Sequence, residues 1–137
     1  MTAIPAITLH RPWAELVLVG GKDVENRTWT TSYRGPLYIH AGKAWDSRAH
    51  RVAVQAGADG CVSWERDEHA RGIIGAVDLV DVLNGTSPSV WAAPDQFHWR
   101  LVNPRLLMRP VECNGWQRLW TPEPRIAAIL DDQAVWL

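Results

Sequence analysis

The chain has 137 residues, 47% apolar and 21% charged, with a formal net charge of −1. That length suits one domain around one core, here residues 1–137, and the composition excludes a disordered chain. The balance also excludes a uniformly basic nucleic-acid binder, while leaving room for a local patch: residues 22–51 hold six cations against three acids, and residues 52–137 hold seven against eleven.

Tryptophan occurs nine times and phenylalanine once. Some of these rings must fill the core, because each covers a large area. Nine exceed what so small a core needs, so an exposed ring or two in a groove is expected. Cys61 and Cys113 have no partner at zinc-ligand spacing. The N-terminus has no basic segment followed by an apolar one, and no apolar run approaches the ~20 residues of a membrane helix. No membrane association and a cytoplasmic location are the expectation.

In chain order, residues 3–9 read as a strand. Pro12 suits the first turn of a helix, where its missing N–H costs nothing. Trp13, Leu16 and Val17 then form an apolar stripe, and Gly20-Gly21 stops the helix. Residues 23–29 alternate with polar groups on both sides, as in a strand at an edge or lining a cleft: Glu25, Arg27 and Trp29 share one face. Residues 37–42 form a clean strand with Leu37, Ile39 and Ala41 on one side and Tyr38 and His40 on the other. Asp46-Ser47 can cap a helix over 47–56, and 58–71 reads as a loop. Residues 72–83 are a long apolar strand ended by the turn signal Asn84-Gly85, with a loop over 86–95. Phe97, Trp99 and Leu101 alternate as another strand. Leu106–Cys113 gives one more around Pro110, which marks an edge or a bulge. Ile126, Ile129 and Leu130 fit a short last helix. Five or six strands with short turns and two or three helices predict an α+β, mainly β, fold: a small antiparallel barrel with helices on its rim.

Chemistry concentrates in residues 10–43. Lys22, at a helix end, either complements the helix dipole or contacts a phosphate, and if buried it can act as a catalytic amine. Glu25 and Arg27 are either a mutual surface pair, or a base-edge acceptor or general base beside a phosphate grip. Trp29 fits a core or a stacking platform. His40 fits a hydrogen-bonded structural site as readily as a ligand contact. Arg34 adds a cation, and Lys43 and Trp45 would stand at the mouth of the strand. No G-x-S-x-G, Walker loop, H-E-x-x-H or G-x-G-x-x-G occurs, so no cofactor or metal is expected.

These residues carry a resemblance. Arg11-Pro12-Trp13-Ala14, Gly20-Gly21-Lys22, Val24-Glu25-Asn26-Arg27-Thr28-Trp29 and Arg34-Gly35-Pro36-Leu37-Tyr38-Ile39-His40-Ala41 are similar to the motifs of the ASCH family, within the PUA-like superfamily. Residues 72–83 and 97–110 are similar to its later strands. The resemblance implies a PUA-like β-barrel with a cleft between barrel and first helix, where RNA or another nucleic acid binds, and it places Lys22, Glu25, Arg27 and Arg34 in that cleft. Some relatives are hydrolases, either ribonucleases or amidohydrolases of N4-acylated cytidine. In the amidohydrolase branch a Thr nucleophile stands three residues after the motif Lys. Here that position holds Glu25, and Thr28 lies on the other strand face.

Three functions follow as expectations. The first is a nucleic-acid-binding domain, RNA foremost, using Lys22, Glu25, Arg27, Trp29, Arg34, His40, Lys43 and Trp45. The second is a metal-independent hydrolase of RNA or of a nucleoside-sized ligand, with Lys22 and Glu25 as catalytic pair. The third is a protein-interaction domain that keeps the fold without the ligand.

Overall fold

A computed structural model describes residues 3–133. The elements are β1 (Ala6–Arg11), α1 (Trp13–Val19), β2 (Val24–Arg27), β3 (Gly35–Trp45), α2 (Ala49–Gln55), β4 (Gly72–Asn84), β5 (Phe97–Val111), β6 (Leu119–Trp120) and α3 (Pro124–Gln133). The α+β, mainly β, class follows directly. All six strands form one sheet in the order β2-β5-β4-β3-β1-β6. No described helix is long and apolar enough to cross a membrane.

Two details of the expected barrel are corrected. β1 and β3 pair in parallel, while the other pairs are antiparallel. The connection through α1 and β2 explains this, because it carries the chain to the far edge of the sheet before β3 returns beside β1. Among the described residues the sheet is also not closed by backbone hydrogen bonds: β2 pairs only with β5, and β6 only with β1. Both edge strands are short, four and two residues, and leave no ladder to complete a barrel. The curl is nonetheless strong enough for Arg27 Nη2, on β2, to donate to the Thr8 carbonyl on β1 at 2.9 Å. A side chain crosses the seam where a barrel would have had a strand pair.

Alternation along the strands supplies a core on each face. Leu37, Ile39 and Ala41 join Ile7, Leu9, Val17 and Trp99 under α1. Tyr38 points the other way, to Trp120, Ile126 and Leu130 under α3. A smaller cluster seats α2 on Leu16 and Val24 through Ala49 and Ala53. The cap expected at Asp46-Ser47 is corrected: the cap position of α2 is Arg48, in helical conformation and without a side-chain cap bond. The Asp46 carboxylate, two residues further out, accepts from the Arg48 N–H at 3.0 Å and from Trp13 Nε1 at 2.8 Å. The Arg48 side chain, which also bonds this carboxylate, holds its pKa well below the usual range, and Trp13 adds to the effect. α1 lies close on β4 because residue 75 is glycine. A Cβ there would meet Leu18 Cδ1 at 2.6 Å and the Arg105 carbonyl oxygen at 2.4 Å.

The two strands expected over 97–101 and 106–113 are one strand, β5. Asn103 takes a left-handed φ of 53°, which asparagine tolerates. Two residues of β5 there, 103 and 104, oppose one of β4, Val77, so the strand bends instead of ending. Pro110 falls in a second irregular stretch, as expected. β6 has no counterpart in the sequence reading.

Candidate nucleic-acid groove

The segment after α1 builds a charged chain. Gly21, at φ 75°, turns the backbone out of the helix. The Lys22 side chain then folds back, its Nζ 5.3 Å from the centre of the Trp13 ring. It donates to the Val24 carbonyl and, at 2.9 Å, to Glu25 Oε1. Glu25 Oε2 lies 3.0 Å from Arg27 Nε, an ion-pair distance at which that N–H is not aligned as a hydrogen bond. One carboxylate thus joins a buried ammonium, 4% exposed, to a guanidinium that reaches the seam.

Beside the seam lies an open groove of about 1500 Å³. Four of the expected residues line it: Arg27, Trp29, His40 and Lys43. Lys22 and Glu25 stand behind Arg27 and do not line it. Arg34 is exposed and donates to its own loop, to the Thr31 and Tyr33 carbonyls at 2.8 Å each. Trp45 packs edge-on against His69, 5.1 Å between ring centres, away from the groove. No residue of α1 is in the lining, so this groove is not the cleft expected between barrel and first helix. Its other wall is β1 and the segment 112–118.

That segment is held by His40. His40 Nε2 lies 2.8 Å from the Cys113 carbonyl. A carbonyl only accepts, so the proton is on Nε2, and Nδ1 is a buried acceptor with no partner among the described residues. Burial pulls the ring's pKa below 6.5, against the bond to Cys113. Gly115 lies flat on this ring: a Cβ at 115 would meet His40 Nδ1 at 2.7 Å and Thr8 Oγ1 at 2.4 Å. Trp120 Nε1 donates to the same Thr8 hydroxyl at 3.0 Å. Thus β1, β3 and β6 together fix where the segment runs.

The segment contributes what the sequence reading missed. Trp116, 64% exposed, and Arg118 line the groove, as does Arg71 from the loop before β4. The Arg118 guanidinium lies over the Trp29 ring, 5.1 Å from its centre. Trp29 is itself braced edge-on by the buried Trp99, 4.7 Å away, whose Nε1 donates to the Trp29 carbonyl. The lining holds four permanent cations, Arg27, Lys43, Arg71 and Arg118, against the single carboxylate Glu112. A second group of positive charge lies alongside. Arg11 is buried and donates to three carbonyls, of Arg66, His69 and Lys43, and burial with the nearby Arg66 and Arg71 lowers its pKa. In the sequence, Asn114-Gly115 followed by a Trp and an Arg was the available signal: a tight turn presenting a ring and a cation.

Comparison with known proteins adds two findings. The family model described as "ASCH domain" matches residues 7–110. The chain is 29% identical over 132 residues to Activating signal cointegrator 1 of Homo sapiens, and equally to that of Mus musculus. Each match covers 88% of this chain but 22% of the relative, so the chain spans about a fifth of the length of those relatives.

Proposed function

The chain belongs to the ASCH domain family, and from that premise we propose that it is a nucleic-acid-binding domain, RNA foremost, with its ligand in the groove at the open seam. The observation that carries this reading is the lining: four cations and two tryptophans facing one recess, in a chain whose net charge is −1. Cations grip phosphates without regard to sequence, and flat rings stack on bases. Few other ligands reward both. In this reading Arg27, Lys43, Arg71 and Arg118 hold the backbone, and Trp29 and Trp116 meet bases. Lys22 and Glu25 hold Arg27 in place from behind. Fluorescence anisotropy with RNA and DNA at two salt concentrations tests it. Binding that weakens with salt, and weakens further in Arg118→Ala, supports the reading. Salt-insensitive binding, or none, rejects it.

A hydrolytic role has one observation in its favour, the 2.9 Å contact between Lys22 Nζ and Glu25 Oε1. A buried amine beside a carboxylate can stabilise an oxyanion and move a proton. Incubating the protein with RNA and with N4-acetylcytidine separates the readings. Turnover that disappears in Glu25→Gln while binding persists would establish hydrolysis, and turnover unchanged in that variant would reject this pair.

A further inference from the structure

We infer that the groove is built for single-stranded nucleic acid and takes unpaired bases on its two tryptophans. The inference rests on the nucleic-acid reading above and narrows it. Trp29 and Trp116 both line the groove, and each comes from an anchored part of the fold. Trp29 is clamped by Trp99, and the segment bearing Trp116 is anchored through His40 and Gly115. Such an indole is a preformed platform, and stacking on it costs little ordering.

Three further observations favour a strand over a duplex. The Trp116 ring stands out of the fold, 64% exposed, on a segment that forms no regular element. A duplex keeps its bases stacked on one another and has no free face to offer that ring, whereas an unpaired base does. Trp29 already carries a planar cation, Arg118, at cation–π distance, 5.1 Å from the ring centre. A base can join that pair on the guanidinium or replace it on the ring. Finally, the volume of about 1500 Å³ exceeds the roughly 300–1,000 Å³ of small-ligand pockets. Past Trp116 a second recess of about 210 Å³ continues along Asn114 and Trp120. The site therefore suits a run of nucleotides passing over Trp116 and not one nucleoside. Lys43 and Arg71 take the phosphates of that run.

The test uses three labelled RNAs: an eight-nucleotide strand, the same strand made abasic, and a blunt hairpin whose loop is a non-nucleotide linker, so that it has no unpaired base. Each is titrated against wild type, Trp116→Ala and the Lys43→Ala/Arg71→Ala double variant. Trp116 is mostly exposed, so its truncation leaves the fold intact, and an unchanged melting temperature verifies this. The expected result is that the strand binds more tightly than the abasic strand or the hairpin. Trp116→Ala then weakens the strand by about 5- to 100-fold and leaves the abasic RNA unchanged. Equal binding of strand and abasic RNA, equal binding of strand and hairpin, or an unchanged Trp116→Ala would each overturn the inference. If binding is still lost in the double variant, the nucleic-acid reading survives that result. Binding of none of the three RNAs at low salt would overturn both.

Discussion

At the scale of single residues, position and role separate. Lys22, Glu25 and Arg27 are within six residues of one another, and their types alone suggested a site. Burial sorts them: Lys22 is sealed under Trp13, and Arg27 emerges at the groove. A buried ion pair that loses one partner leaves the other uncompensated. Lys22→Met should therefore destabilise the domain by about 3 kcal/mol, the low end of such losses because Glu25 keeps Arg27. Urea unfolding measures this. His40 carries a pH signature. Its ring titrates below 6.5 when folded, because burial disfavours the charged form. The stability it contributes is complete above pH 6.5. As the pH falls below that value the unfolded chain binds a proton that the folded chain refuses, and stability drops until the folded ring titrates. Protonation would also put an N–H at Nδ1 against Gly115, where nothing accepts it. Unfolding free energies between pH 8 and 5 should fall for wild type, and His40→Gln should flatten that part of the curve.

At the scale of elements, periodicity marked most of the fold. The alternation of 37–42 and the long apolar run of 72–83 predicted strands, and β3 and β4 contain them. The stripe Trp13, Leu16, Val17 lies on α1, and Ile126 and Leu130 face the core from α3. Periodicity failed where the chain breaks period without breaking pairing. Asn103 shifts the register of β5, so one bent strand reads as two. β6 has two residues, too few to show a period, and exists because β1 offers an edge. The segment before β6 is decided by contact in the same way. Gly115→Ala should push 113–118 off His40 and Thr8, moving Trp116 and Arg118 together. RNA binding should weaken at least tenfold on the scale of a lost stacking contact, while α1 and its core stay as they are; anisotropy beside near-ultraviolet circular dichroism checks both. Gly75→Ala acts elsewhere. Its Cβ meets backbone as well as Leu18, so α1 must lift from β4, at a cost of about 1–3 kcal/mol read from the melting temperature.

At the scale of the whole molecule, charge is arranged, not abundant. A net charge of −1 coexists with a groove whose permanent charges are four cations and one acid. On single-stranded RNA, four phosphate contacts predict that log Kd rises with log salt at a slope of about 2.8, and Lys43→Ala/Arg71→Ala should remove about half of it. Titrations from 50 to 300 mM salt decide this, and a slope near zero would mean that the groove cations do not hold phosphates. The groove itself is a product of how the sheet ends. Six strands curl until β2 faces β1, the edge strands are too short to pair, and Arg27 spans the gap to Thr8. What the sequence determined by itself is whatever depends on near neighbours: the class of fold, most strands and helices, and the concentration of Arg27, Trp29, His40 and Lys43 in one short segment. Only the tertiary structure decided which charges face solvent and which face each other, that Arg34 and Trp45 turn elsewhere, and that Arg71, Trp116 and Arg118 line the same groove as Arg27, some forty to ninety residues away in the chain. The physical reason is that burial and electrostatic pairing are properties of surfaces brought together by folding, and no local pattern records which surfaces will meet.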